Sequence, residues 1–109
     1  MTWRQLCALG RALPEVTETT SYGTPALAVR GKAFVRLKED NRTVVFWLAS
    51  LDDQEMLIAA LPHLYYITDH YRGYKAVLAR LPKLTPRECR ARLEHSWRVR
   101  APRALSAKR

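Results

Sequence analysis

The sequence predicts an α+β fold: a two-layer domain with a largely antiparallel sheet, helices on one face, and elements in the order α-β-β-β-α-β-β-α. Three observations predict it. Apolar residues recur at helical spacing near both ends of the chain, β-branched and aromatic residues dominate the middle, and the turns between strands are short enough to be hairpins. With 109 residues, 48% of them hydrophobic, the chain holds one domain's worth of core. A domain of this size buries roughly two-thirds of its unfolded surface, so it needs neither metal nor disulfide to fold. The domain is placed at 1–101. The stretch 102–109, made of Pro, Ala, Ser, Leu and cations, offers little to bury and is expected to be a basic, mobile tail.

Three segments open with the reciprocal cap that satisfies orphan amides at a helix start: Thr2-Trp3-Arg4-Gln5, Asp52-Asp53-Gln54-Glu55 and Thr85-Pro86-Arg87-Glu88. They place helices near 2–13, 52–61 and 85–99. In the first, Trp3, Leu6, Cys7, Leu9, Gly10 and Leu13 share one side at about 100° per residue. In the third, Cys89, Leu93, Ser96 and Trp97 lie opposite Arg87, Arg90, Glu94 and Arg98. Pro14, Pro62 and Pro102 stop the three helices. Between the first two helices, Ala26–Arg30 and Ala33–Lys38 flank Gly31, which supplies the positive φ of a tight hairpin. Glu39-Asp40-Asn41-Arg42 turns the chain into a strand at Thr43–Ala49. Leu64–Thr68 and Tyr74–Leu81 read as two more strands, joined through Asp69-His70-Tyr71-Arg72-Gly73.

Charge is the most informative part of the composition. There are 19 Lys plus Arg against 10 Asp plus Glu, a formal +9. From Lys83 onward nine basic residues face only Glu88 and Glu94, leaving +7 there and +2 in the rest of the chain. Such a concentration attracts polyanions. The arginine face of the third helix is one candidate surface. The hairpin tips are another, with Arg30 and Lys32 at one turn, Lys38 and Arg42 at a second, and Arg72 and Lys75 at a third. Guanidinium groups so placed suit phosphate and base-edge contacts. Phe46 and Trp47 are adjacent on one strand and both read as core.

Two loops gather polar groups of mixed chemistry, Thr20–Pro25 and Thr68–Tyr74. Tyr22, Thr24, His70 and Arg72 among them suit a small anionic ligand. No catalytic residues are assigned, because no nucleophile elbow or triad spacing is present. No metal is expected, since His63, His70 and His95 stand singly and the cysteines lie far apart. No glycine-rich phosphate loop precedes a helix, so no cofactor is expected. Cys7 and Cys89 fall on apolar helix faces and read as reduced, which favours the cytoplasm. No apolar run approaches a membrane span.

Several stretches together resemble the MmcQ/YjbR-like family: Leu13-Pro14, Ser21-Tyr22-Gly23-Thr24-Pro25-Ala26, Val29-Arg30-Gly31-Lys32, Thr68-Asp69-His70-Tyr71-Arg72-Gly73-Tyr74, and Ser96-Trp97-Arg98-Val99-Arg100-Ala101-Pro102. The resemblance covers nearly the whole chain. It implies an α+β fold similar to secretion-chaperone-like and double-wing architectures, a DNA-binding role, and no catalytic residues. Many members are basic late in the third strand, where this chain has Phe46-Trp47-Leu48, so the site is expected elsewhere. The sequence reading is therefore a non-enzymatic domain that binds nucleic acid, duplex DNA before RNA and with little sequence preference, through Arg30, Lys32, Arg42, Arg72, Arg87, Arg90 and Arg98. A protein-binding or chaperone-like adaptor is the second reading. A small-ligand or enzymatic site around Tyr22, Thr24, His70 and Arg72 is the third. The chain is expected to be a monomer or weak dimer, with no membrane partner.

Overall fold

A computed structural model of the chain describes residues 1–108. Six strands form one sheet in the order β1-β2-β3-β4-β6-β5, every neighbouring pair antiparallel. The strands are β1 (Val16–Ser21), β2 (Thr24–Val29), β3 (Lys32–Leu37), β4 (Thr43–Trp47), β5 (Tyr65–Tyr66) and β6 (Ala76–Arg80). The helices are α1 (Trp3–Gly10), α2 (Leu51–Ala60), α3 (Pro86–Arg100) and α4 (Arg103–Ser106). The α+β class, the antiparallel sheet and all three longer helices agree with the sequence reading.

Four details differ, each for a physical reason. The sheet gains β1, because Val16–Ser21 pairs with β2 from Val16↔Val29 to Ser21↔Thr24. Both faces of β1 are largely in water, so it shows no alternation of apolar and polar residues, and only its β-branched content marks it as a strand. β5 is two residues long, not five, because Ile67 onward leaves the sheet for a 3₁₀ turn at Asp69–Tyr71. The cap of α2 is Ser50, whose hydroxyl accepts from the Asp53 amide at 3.1 Å, and not Asp52. The segment after Pro102 forms a helical turn, and its Leu105 packs on the core.

The main core lies between the sheet and α1 and α3. Leu27, Val29, Phe34, Val35, Leu37, Val44, Phe46, Val77 and Ala79 meet Leu6, Cys7, Cys89, Leu93 and Trp97, all buried. A bulge opposite Leu27 and Ala28 leaves Phe34 without a register partner, and so lets both Phe34 and Val35 reach this core. Trp97 donates its ring N–H to the Pro14 carbonyl (3.0 Å), which fixes the end of α1 against α3. At Gly10 a side chain would run into Leu27 Cδ1, so α1 sits as close to β2 as a helix can. The Cys7 and Cys89 thiols are unbridged, and burial pushes their pKa values up to about 11 and about 12.

The other sheet face carries no long helix. Thr24, Ala26, Arg36, Thr43, Val45, Trp47, Tyr66, Ala76, Leu78 and Arg80 share it by register. Part of it is covered by the segment 68–75, whose Tyr71 packs on a small cluster of Val45, Ala76 and Leu78.

Candidate anion-binding cleft

Alternation along β3 sends Arg36 to this open face, where an arginine would ordinarily lie in water. It is instead 8% exposed, because the 68–75 segment and the Tyr22 turn close over it. Nη1 donates to Thr24 Oγ1 (3.1 Å) and more weakly to Glu39 Oε1 (3.5 Å), and Nη2 donates to Tyr71 Oη (3.1 Å). A guanidinium has five N–H groups, so two have no partner among the described residues. Glu39, the nearest carboxylate, lies mostly in water. Arg36 is thus a buried cation with little countercharge.

Above it opens a cleft of about 620 Å³ lined by Tyr22, Arg36, Trp47, His70, Tyr71, Tyr74 and Lys75, with Val45 and Ala76 in its floor. That volume is in the range of small-molecule sites. The His70, Tyr71 and Tyr74 rings touch one another, at centroid distances of 5.1, 6.2 and 6.4 Å. Tyr22 lies over the Arg36 guanidinium at 5.3 Å and is nevertheless 83% exposed. Its backbone has φ of +53°, followed by +79° at Gly23. Two successive positive φ values match the hairpin turn that favours Asn-Gly, and a bulky side chain pays strain in the first position.

The same face carries further cation–ring contacts. Lys38 lies over Tyr71 at 5.4 Å, Arg80 over Tyr66 at 4.2 Å, and Arg100 reaches Trp47 at 5.5 Å from the end of α3. Beyond Tyr66, Arg42, Arg80 and Lys83 line a second, smaller hollow of about 270 Å³. By strand spacing, Arg36 on β3 and Arg80 on β6 stand roughly 12 Å apart. An aromatic and cationic path therefore runs from the cleft across the sheet.

The residues singled out in the sequence fall into three groups. Tyr22, Thr24 and His70 converge around Arg36, whereas Arg72 turns away, paired with Asp69 at 2.8 Å. Arg30 is held by Glu15 through Nε and Nη2 (2.8 and 2.9 Å), and Arg98 by Glu94 (3.3 Å). Lys32, Arg42, Arg87 and Arg90 are exposed, with no ion-pair partner among the described residues. They do not form one surface: the β2–β3 and β3–β4 turns lie at opposite ends of β3. Trp47, read as core, is half-buried and faces the cleft, while Phe46 is fully buried. Arg36 itself was missed, because on its own strand it reads as the outward residue of a simple alternation.

Among the described residues no helix is long and apolar enough to cross a membrane. No group of three His, Cys, Asp or Glu side chains among them is placed to hold a metal ion.

Comparison with known proteins finds three mycobacterial relatives, all uncharacterised. Two are Mb2600 of Mycobacterium bovis and Rv2570 of Mycobacterium tuberculosis, each 39% identical over 49 residues. The match covers 45% of this chain and 38% of each relative, so the chain accounts for well under half the length of the proteins it matches. No solved structure gives a significant match. The model of the YjbR family matches residues 11–99, which takes in β1 through nearly all of α3 and every residue lining the cleft. On that span, this chain belongs to the YjbR family.

Proposed function

We propose that this chain is a non-enzymatic domain that binds nucleic acid across the open face of its sheet, and that it takes single strands in preference to duplex. One observation carries the reading: every cation–ring contact among the described residues lies on this face or at its rim. Bases stack on exposed rings while cations track the phosphates, and unpaired bases are needed for that stacking. The alternative surface of hairpin tips and α3 is weaker, since Arg30, Arg72 and Arg98 are already paired with carboxylates.

Anisotropy of labelled oligonucleotides of about 10 nucleotides, single-stranded and duplex, tests this between about 50 and 200 mM salt. Single strands are expected to bind more tightly, with affinity falling steeply as salt rises. Trp47→Ala and Arg80→Ala should each weaken binding, and reversing Arg87, Arg90 and Arg98 to Glu should leave most of it. Loss in the triple reversal with none in Trp47→Ala would move the site to α3. No binding of either form at the lowest salt would end the nucleic-acid reading.

A further inference from the structure

We propose that the cleft over Arg36 is a site for one phosphorylated nucleoside, with the base among Tyr22, Tyr74 and Trp47 and the phosphate on Arg36 and Lys75. The inference rests on the nucleic-acid reading and narrows it to one subsite. Four observations lead there. A guanidinium nine-tenths buried, with two N–H groups unbonded and its one ion-pair partner, Glu39, mostly in water, presents a positive charge that is only partly offset. Burying a cation this way is costly unless an anion completes it. Lys75 on the cleft wall and Lys38 over Tyr71 add positive charge, so the occupant is an anion.

Its other half is planar and apolar. Tyr22 and Tyr74 leave 83% and 59% of their surfaces in water, and they stand on the cleft with His70 and the half-buried Trp47. Exposed rings of this number suit an aromatic guest, and each stacked base is worth roughly 1–3 kcal/mol. A volume of about 620 Å³ admits one nucleotide and not a duplex. Phosphate plus base is the chemistry that uses both halves, whether it arrives as a free mononucleotide or as the end of a strand.

The test is a titration of the whole chain followed by Trp47 emission, with Trp47→Phe as the silent control. Adenosine 5′-monophosphate should give a saturable change, with adenosine and inorganic phosphate each at least tenfold weaker. Arg36→Met should lose at least tenfold in affinity while keeping its circular dichroism. If Arg36→Met does not fold, Tyr22→Ala and Lys75→Ala carry the same expectation from the rim. A 5′-phosphorylated oligodeoxyadenylate set against its 5′-hydroxyl form separates the sources. Tighter binding of the phosphorylated strand marks a strand end, and tighter binding of the monophosphate than of either strand marks a free nucleotide. The proposal is overturned if adenosine binds as well as its monophosphate, or if the folded Arg36 or rim variants bind it normally. Oligonucleotide binding that the monophosphate cannot displace would overturn the cleft alone and leave the sheet-face reading standing. Failure of both probes would remove both.

Discussion

A guanidinium or carboxylate taken out of water loses several kcal/mol of hydration unless the interior supplies partners. The Tyr65 and Glu88 side chains show one solution, while Arg92 beside them keeps a buried Nε without a hydrogen bond. Tyr65 is fully buried, and its hydroxyl donates to Glu88 Oε1 at 2.8 Å. Arg92 Nε approaches the same oxygen at 3.5 Å. Burial, then the neighbouring Glu88, push the Tyr65 phenol far above its ordinary pKa, so it remains a donor throughout the working pH range. Tyr65→Phe should cost about 1–2 kcal/mol in urea unfolding, because the carboxylate loses its best partner while the ring still packs. A midpoint equal to that of the parent chain would show that water replaces the hydroxyl. None of this set was legible in the sequence. Glu88 read there as half of a cap, but only the Thr85 hydroxyl keeps that role, accepting from the Glu88 amide.

Among the elements, the helices were the legible part. The Thr2 and Gln5 cap is made in both directions (3.2 and 2.9 Å), and the apolar side of α3 is buried residue for residue as its spacing predicts. Helical periodicity is local, so a sequence contains it whole. Strand β1 was not legible, because an edge strand with both faces in water has no burial pattern to display. The Arg36 site was half legible: Tyr22, Thr24 and His70 stood out as polar loop groups, but the cation they surround is placed by a contact 35 residues along the chain, to Tyr71. The Tyr22-Gly23 turn carries a prediction of its own. Tyr22→Asn should stabilise the hairpin by about 1 kcal/mol, since asparagine tolerates positive φ better than tyrosine. The same change should weaken ligand binding, the opposition expected where strain serves a site. Thermal melts and the Trp47 titration on one sample read both, and a loss of stability would mean the ring supports the fold rather than the site.

At the scale of the molecule, acid should lower the stability of the chain over two successive pH ranges. The His95 ring accepts from the Ala49 amide at 3.1 Å and so is neutral. Burial holds its pKa below the ordinary 6.5, partly offset by Asp53, with Arg92 also lowering it. The unfolded chain then takes up the proton first as pH falls, and stability present above about 6.5 is lost below it. Glu15, bonded by Arg30, and Glu39, bonded by backbone, sit below the ordinary 4.5. Their contribution is present above about 4.5 and disappears as pH falls through their folded values. Urea midpoints across this range should show both declines. His95→Gln should flatten the first and keep the second, whereas a parent profile level from pH 7 to 5 would contradict the role given to His95. The guanidinium that faces the cavity also bonds Tyr71 and so helps hold the 68–75 segment to the sheet, together with Gln54, which donates to the Tyr74 and Ala76 carbonyls at 2.9 and 2.8 Å. Occupancy and wall stability are therefore linked: an anion on the idle N–H groups of Arg36 would leave its bond to Tyr71 in place, and one that competes for the N–H donated to Tyr71 would cost the wall one of its contacts.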